Sequence, residues 1–278
     1  MKWNVVTDSS CDLHPAKYHS DVIEFSSVPF IISVGDQHFV DNEELDVQVL
    51  LHEMEHEKSA SHTACPGPGA WLEQFQKAEC TFAITISSQV SGSMDSALTA
   101  RDMALEADPQ KKIAVLDSLS TGPELVLCVH ELERLAHEGV DFDEAVVRAK
   151  AFLDKTNTLF ALSSFDNLIK GGRMGKMTGF LATALGMWGI GCASDEGTIQ
   201  VEGKTRGAKK AVRALVEHMR ERGFAGGRVA ISHCENHAIA QALKERILEA
   251  WEHSEVEVLP TRGLCSYYAE RGGLIVGF

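Results

Sequence analysis

Short apolar runs alternate with helical patterns along the first half of the chain. Two of these runs are apolar on both faces, which is typical of strands buried inside a parallel sheet. The predicted strands are Val5-Val6, 28–32, 82–86 and 113–116. The predicted helices are 69–77, 92–106 and 123–137. Because strands and helices alternate, we expect a parallel sheet with helices that cross over between its strands.

The pattern predicts a second unit that starts near Thr156. Apolar residues at helical spacing occur at 208–219 and 239–247, and a loop is predicted at 170–175. The predicted strands are 159–162, 229–231, 256–259 and 274–276. We therefore expect an α/β protein of two domains. Residues 1–155 form an N-terminal domain with a parallel sheet and flanking helices, and residues 156–278 form a C-terminal α/β domain with a mixed sheet.

Polar side chains follow three strands of the first predicted sheet. They are Asp8-Ser9-Ser10, Ser87-Ser88 and Asp117-Ser118. Ligands of open parallel sheets bind beyond the carboxyl ends of the strands, so these residues indicate a ligand site at that edge. The alternative is that they only cap the helices that follow, and for Asp117-Ser118 the two interpretations stay equally open.

The stretch 177–194 contains no charged residue and approaches the length of a membrane span. It also contains Thr178, Thr183, Ser194 and four glycines, and Lys176 directly precedes it. This composition favours a buried helix followed by a strand over a membrane span.

Composition limits the functional classes. The formal net charge is −14, from 40 acidic and 26 basic residues. Such a surface repels phosphate backbones and anionic lipid headgroups, so we expect neither nucleic-acid binding nor membrane insertion. The seven cysteines are scattered and odd in number, which argues against a disulfide framework and a zinc cluster. Without a secretory signal in its first residues, the chain is predicted to be cytoplasmic.

Residues 52–56 match H-E-x-x-H, in which two histidines one helical turn apart bind zinc and the glutamate activates water. At about 100° per residue, His52 and His56 fall opposite the apolar face of the predicted helix. That face carries Val47, Leu50, Leu51 and Met54. A catalytic pair must point into a pocket, so a zinc hydrolase is the weaker hypothesis and we expect no metal.

Two hydroxyl-rich loops offer a different chemistry. Ser91 is well placed to cap the helix that begins near Gly92, where free N–H groups and the helix dipole favour an anion. The loop 63–69 carries Thr63 on a stretch stiffened by two prolines. Two hydroxyls and a backbone amide can bind a carboxylate without a buried cation. Ordinary helix capping and a tight turn remain the alternative for these loops taken alone.

Five segments in order resemble the motifs of the DegV family of fatty-acid-binding proteins, along nearly the whole chain. They are V-T-D-S-S-C-D-L at 6–13, T-A-C-P-G-P-G at 63–69, I-S-S-Q-V-S-G-S-M-D-S-A at 86–97, Asp117-Ser118, and L-I-K-G-G-R at 168–173. The resemblance implies that the two domains enclose one long-chain fatty acid. By this resemblance Thr63, Ser91 and the Gly92 amide bind its carboxylate, and an apolar tunnel in residues 156–278 holds its tail.

Members of this family act as carriers that present the acid to a separate fatty-acid kinase, which makes the acyl phosphate. The resemblance therefore implies a non-enzymatic protein without cofactors, and it places Arg173 near the carboxylate or the kinase contact. The alternative for Arg173 is a surface arginine that closes a glycine turn. The chain has neither a phosphate-binding loop nor a G-x-S-x-G elbow.

The chain departs from the family at two places. Ala64 and Cys65 replace two positions of the carboxylate loop, and Tyr268 stands where the family has a histidine in its C-terminal H-x-G-P-G run. Tyrosine stays neutral at physiological pH, so the change puts kinase coupling in doubt more than lipid binding. The rival hypothesis is a small-molecule hydrolase or transferase that uses the same cleft, with Ser91 or Tyr268 in a chemical role.

Overall fold

The computed structural model describes residues 2–57, 61–174 and 186–278, and within these ranges the chain forms three sheets with flanking helices. The strands are β1 (Trp3–Asp8), β2 (Ile23–Val28), β3 (Ile31–Val34), β4 (Gln37–Val40), β5 (Ser61–Ala64), β6 (Cys80–Thr85), β7 (Lys112–Asp117), β8 (Thr158–Leu162), β9 (Met187–Ala193), β10 (Ile199–Arg206), β11 (Arg228–His233), β12 (Glu255–Pro260) and β13 (Leu274–Gly277).

The helices are α1 (Val47–His56), α2 (Pro68–Phe75), α3 (Ser93–Ala107), α4 (Pro123–His137), α5 (Phe142–Leu153), α6 (Asp166–Lys170), α7 (Ala208–Glu221), α8 (His237–Ala250) and α9 (Gly263–Ala269), with a short 3-10 turn at Pro15–Lys17. None of the helices in the described ranges is long and apolar enough to span a lipid bilayer.

The first sheet has the strand order β2-β1-β6-β7, and every neighbouring pair is parallel. Alternate residues of a strand face opposite sides. Val5 and Phe82 therefore pack with α4 and α5, while Val6 and Ala83 pack with α2 and α3. Because helices cover both faces, the strands are continuously apolar, and the predicted parallel sheet is confirmed.

The second sheet has the order β10-β9-β8-β13-β11-β12. Only β11 and β12 are parallel neighbours, so the predicted mixed sheet is confirmed. On one face Leu159 and Ile231 pack with the apolar sides of α7 and α8. The opposite face carries Phe160, Leu162 and Ile275, which belong to a separate apolar cluster. That second face is turned toward the N-terminal half of the chain.

The predicted strand at 28–32 is wrong, because the chain breaks it into two strands. β2 ends at Val28 and β3 begins at Ile31. Pro29 has no backbone N–H to continue a ladder, and the Phe30 N–H donates to Ser9 Oγ at 3.0 Å. β3 then joins a three-stranded antiparallel sheet, β4-β3-β5, which the sequence analysis missed because β4 and β5 are largely polar.

The two halves of the chain are packed together through α4. This helix contacts β1 of the first sheet and both β11 and β13 of the second. Gly277 makes the contact close, since a Cβ there would lie 2.9 Å from the backbone nitrogen of Glu124. The predicted boundary between residues 155 and 156 falls in the connection from α5 to β8 and stays a prediction.

A loop, a helix and a strand are predicted within 170–194, and the structure describes only part of this range. Lys170 is the last residue of α6 rather than part of a loop, and 171–174 form a turn. The strand predicted at the end of the uncharged stretch is confirmed as β9. Gly175 and the helix predicted from Met177 onward lie outside the described residues up to 185.

Candidate functional site

A cavity lies between the second sheet and the loops at the carboxyl ends of the first. It comprises about 850 Å³ of space not occupied by atoms, part of it open to solvent. Both halves of the chain line it, and most of the wall is apolar. Its apolar side chains include Phe30, Ile86, Val90, Phe160, Leu162, Leu168, Ile199, Leu264 and Ile275. The residues after β6 and β7 also contribute, which agrees with a ligand site at that edge of a parallel sheet.

Thr63 and Tyr268 meet at the wall of this cavity. The Thr63 Oγ1 and Tyr268 OH atoms are 2.8 Å apart and share a hydrogen bond. β5 carries Thr63, and α9 carries Tyr268. The neighbouring Tyr267 donates from its hydroxyl to Ser61 Oγ at 2.7 Å. Two hydroxyl pairs therefore join α9 to β5.

Arg173 lies beside this pair. Its Nε donates to the Val90 carbonyl at 3.2 Å, and its Nη1 donates to the Gly171 carbonyl. The chain passes close to Tyr268 at Gly171, where a Cβ would lie 3.4 Å from the tyrosine hydroxyl and 2.9 Å from a backbone oxygen. Among the described residues that line the cavity, Arg173 is the single charged side chain. Two bonds to backbone carbonyls fix the position of its guanidinium.

Ser91 and Gly92 complete the group. The predicted N-cap is one residue off: Gly92 is the N-cap residue, and α3 begins at Ser93. The Ser91 hydroxyl instead accepts from the Ser93 N–H at 3.2 Å. Gly92 lies against the loop of Thr63, since a Cβ at Gly92 would be 3.6 Å from Cys65 Sγ. We call Thr63, Ser91, Gly92, Arg173 and Tyr268 the polar corner.

Asp8, at the end of β1, holds the start of α3 in place. Its Oδ2 accepts from the Ile86 N–H at 2.9 Å and from the Ser93 hydroxyl at 2.6 Å. Asp8 is fully buried, and this burial raises the pKa of its carboxyl despite these bonds. The Asp8 side chain therefore fixes both ends of the loop that carries Ser91 and Gly92.

The sequence left open whether Asp117, at the end of β7, caps the helix that follows, and its hydrogen bonds show that it does not. Its Oδ1 accepts from the Ser88 and Leu119 N–H groups, both at 3.1 Å. The next helix, α4, begins only at Pro123. Asp117 therefore joins two loops of the cavity wall and does not cap the helix that follows.

Asp41, which no sequence motif marks, positions α9. Its carboxylate accepts from the Gly263 N–H at 2.9 Å and from the Leu264 N–H at 2.8 Å. The Arg262 guanidinium donates to the Asp41 carbonyl at 3.1 Å. Burial raises the pKa of the Asp41 carboxyl, while the nearby Arg262 opposes the shift. Nothing in the sequence signals this contact, because 222 residues separate Asp41 from Gly263.

The H-E-x-x-H segment lies on α1, away from the cavity lining. His52 and His56 are exposed, as their spacing predicts, and their rings stack 4.1 Å apart. The buried residues of α1 are Leu50 and Leu51. Across the described ranges, no group of three or more His, Cys, Asp or Glu side chains is arranged to bind a metal ion.

Fold and site together define an α/β protein with a largely apolar cavity, whose wall includes a polar corner of neutral hydroxyls and a single cation. Comparison of the chain with models of known protein families identifies the family to which it belongs. The model described as "Uncharacterised protein, DegV family" matches residues 2–278. The chain belongs to the DegV family.

Relatives of the chain match it over its whole length. A DegV domain-containing protein of Streptococcus pneumoniae is 40% identical, covering 100% of this chain and 99% of the relative. The crystal structure of the S. pneumoniae fatty acid kinase (Fak) B3 protein, loaded with linoleic acid, is 40% identical with a TM-score of 0.96, covering 100% of this chain and 99% of that one. A DegV family protein of Eubacterium eligens, loaded with heptadecanoic acid, is 38% identical with a TM-score of 0.94, covering 99% and 98%.

Proposed function

We propose that this chain binds one long-chain fatty acid and presents it to a separate fatty-acid kinase for acyl-phosphate formation. The carboxylate lies at the polar corner, where the hydroxyls of Thr63 and Ser91 and the Gly92 N–H donate to its oxygens. Arg173 and Tyr268 contact the carboxylate or the kinase. The tail occupies the apolar cavity.

One observation carries this proposal: hydroxyl groups that are far apart in sequence converge at the wall of a cavity that is otherwise mostly apolar. The bond between Thr63 and Tyr268 and the contact of Gly92 with Cys65 support a single binding corner. The similar structures from S. pneumoniae and E. eligens were loaded with linoleic and heptadecanoic acid. Shape, chemistry and family therefore agree on the ligand class.

Affinity and orientation come from different parts of the site. Each CH₂ group that leaves water contributes about 0.8 kcal/mol before ordering costs are subtracted. The tail therefore supplies most of the binding free energy. Hydrogen bonds to an ionised carboxylate are stronger than those between neutral groups, so the polar corner decides which end of the ligand enters where.

The proposed carrier function also implies a partner protein and a cellular compartment. The match to a protein of a fatty acid kinase system supports a kinase as the partner, with this chain as the non-catalytic subunit that needs no cofactor. All seven cysteines are free, and five of them are buried. Free thiols fit a reducing compartment, so we place the protein in the cytoplasm.

Solvent extraction of freshly purified protein followed by mass spectrometry tests the proposal. We expect a nearly stoichiometric long-chain fatty acid. The double variant Thr63→Val with Ser91→Ala should retain much less, because it removes two donors to the carboxylate and leaves the apolar wall intact. Ser88→Ala, which changes a loop serine outside the cavity lining, is the matched control. A lipid-free protein that also does not bind added palmitate would contradict the binding function. An unchanged lipid content in the double variant would contradict the position of the carboxylate.

A further inference from the structure

The cavity has a second polar region besides the polar corner. β8 turns alternate residues toward the cavity, namely Thr158, Phe160 and Leu162. Leu162 packs in the same cluster as Leu168, with Tyr268 against it, so its end of β8 adjoins the polar corner. Thr158 lies four residues away along the strand, which is about 13 Å. The cavity wall there is not apolar.

Three side chains form a hydrogen-bonded chain in this second polar region. Ser120 Oγ and Thr158 Oγ1 are 2.6 Å apart, and Thr158 donates to Glu124 Oε2 at 2.7 Å. Thr156 donates to the other carboxylate oxygen of Glu124 at 2.6 Å. We call Ser120, Thr158 and Glu124 the distal hydroxyl chain. Ser120 and Thr158 line the cavity, and Glu124 lies behind them, 3% exposed.

Ser120, the first member of this chain, bonds to Thr158 and keeps capacity for one further hydrogen bond to a ligand. If the Glu124 carboxyl is ionised, Thr158 donates to it, Ser120 donates to Thr158, and the Ser120 oxygen can accept from a ligand. If the carboxyl is protonated, the order reverses and Ser120 can donate to a ligand. Burial raises the pKa of the Glu124 carboxyl, while hydrogen bonds from Thr156, Thr158 and Ser120 oppose the shift. A ligand hydroxyl both donates and accepts, and it satisfies either order.

A plain hydrocarbon tail gains nothing from these groups. It makes no hydrogen bonds, and it removes water from two hydroxyls that line the cavity. We infer that the cavity selects a fatty acid whose chain carries a hydroxyl group, placed to bond with Ser120 and Thr158. This inference rests on the proposed function and specifies the ligand within the same site.

The test is a set of binding measurements with stearic acid and with hydroxystearic acids whose hydroxyl stands at successive positions along the chain. We expect one position to bind about fivefold more tightly than stearic acid, the effect of one net hydrogen bond. Acids whose hydroxyl lies against the apolar part of the wall should bind more weakly than stearic acid, because that hydroxyl is buried without a partner.

Variants assign the effect to the distal hydroxyl chain. Ser120→Ala keeps the bond between Thr158 and Glu124 and should abolish the preference without weakening stearic acid. Thr158→Val has nearly the shape of threonine and should do the same. Thr198→Val is the matched control, because Thr198 also lines the cavity while its hydroxyl bonds to Ser194 instead. Thermal unfolding of each variant verifies that it is folded.

Each outcome has one meaning. If stearic acid binds and every hydroxystearic acid binds more weakly, the inference is overturned while the proposed function stands. An unchanged preference in both Ser120→Ala and Thr158→Val would also overturn it. If neither stearic acid nor any hydroxylated acid binds, the proposed function itself fails, and the inference fails with it.

Discussion

At the scale of single residues, the pair of Thr63 and Tyr268 shows what a sequence can indicate and what it cannot. Family-like motifs marked both residues, and the structure places their hydroxyls 2.8 Å apart across 205 residues of chain. The spacing of motifs carries no information about which side chains will touch at such separations. The contact results from packing of α9 against β5, which depends on the whole fold.

Tyr268→Phe should weaken the proposed fatty-acid binding about fivefold, because it removes the hydroxyl that bonds to Thr63, a proposed donor to the carboxylate. Isothermal titration of delipidated protein with palmitate measures this change. Tyr267→Phe is the control, since the Tyr267 hydroxyl bonds to Ser61 and the residue does not line the cavity. Equal affinity in Tyr268→Phe and the unmodified chain would contradict a role for the tyrosine hydroxyl in ligand binding.

Asp12 gives a pH dependence of stability. Its Oδ1 accepts from the Arg262 N–H at 2.8 Å, yet burial raises the pKa of its carboxyl to about 6. The usual value for aspartate in the unfolded chain is about 3.9. Between these values the folded state binds a proton and the unfolded state does not. Lowering the pH from about 7.5 to about 5 should therefore stabilise the fold by about 1 kcal/mol through this group.

The variant Asp12→Asn should lack this gain. Urea unfolding at the two pH values gives the change in the free energy of unfolding for each protein. The contribution of Asp12 is the difference between these two changes. The other buried carboxyls titrate alike in both proteins, so their contributions cancel. A variant whose stability rises on acidification as much as that of the unmodified chain would show that Asp12 is not responsible.

At the scale of elements, most boundaries follow from the amino-acid pattern. The helix predicted at 123–137 matches α4 at both ends, since Pro123 suits a first helical turn and the apolar spacing persists to its end. The small antiparallel sheet could not be predicted in this way. Its strands β4 and β5 have little alternation, and their pairing with β3 is set by contacts with Tyr267 and α1.

Asp41→Ala should lower both stability and ligand affinity. The loss of two hydrogen bonds at the start of α9 costs about 2 kcal/mol in the free energy of unfolding. Because α9 carries Tyr268, its displacement should also loosen the polar corner. Urea unfolding and palmitate titration measure the two effects.

Asp141→Ala is the matched control for this prediction. Asp141 accepts from the Asp143 and Glu144 N–H groups at the start of α5, a helix that does not line the cavity. It should lower stability by about 1 kcal/mol and leave affinity unchanged. If Asp41→Ala behaves in the same way, α9 does not need its cap to hold the ligand.

At the scale of the whole molecule, the cavity wall consists of residues from both halves of the chain. A ligand in this cavity contacts residues of both halves at once. Only the folded state can therefore bind it. Delipidated protein should therefore melt at a lower temperature than protein refilled with palmitate. The gain is about 2.7 kcal/mol at a free ligand concentration of a hundred times Kd.

Palmitate methyl ester separates the tail from the carboxylate in this experiment. It carries the same tail but no negative charge, so it should raise the melting temperature less than the free acid. Differential scanning fluorimetry measures both shifts. Equal shifts would show that the polar corner does not bind the carboxylate.

The close approach at Gly277 restricts how the proposed fatty acid could enter and leave. Since β13 lies against the first turn of α4, swinging the two halves apart like a clamshell would detach that helix from β11 and β13. Such a motion would expose Leu127 of α4, which is buried in the same apolar cluster as Ala230 of β11. Under the proposed function, exchange of the lipid therefore requires a local displacement at the rim of the cavity, and the contact of α4 with β11 and β13 stays intact during loading and delivery.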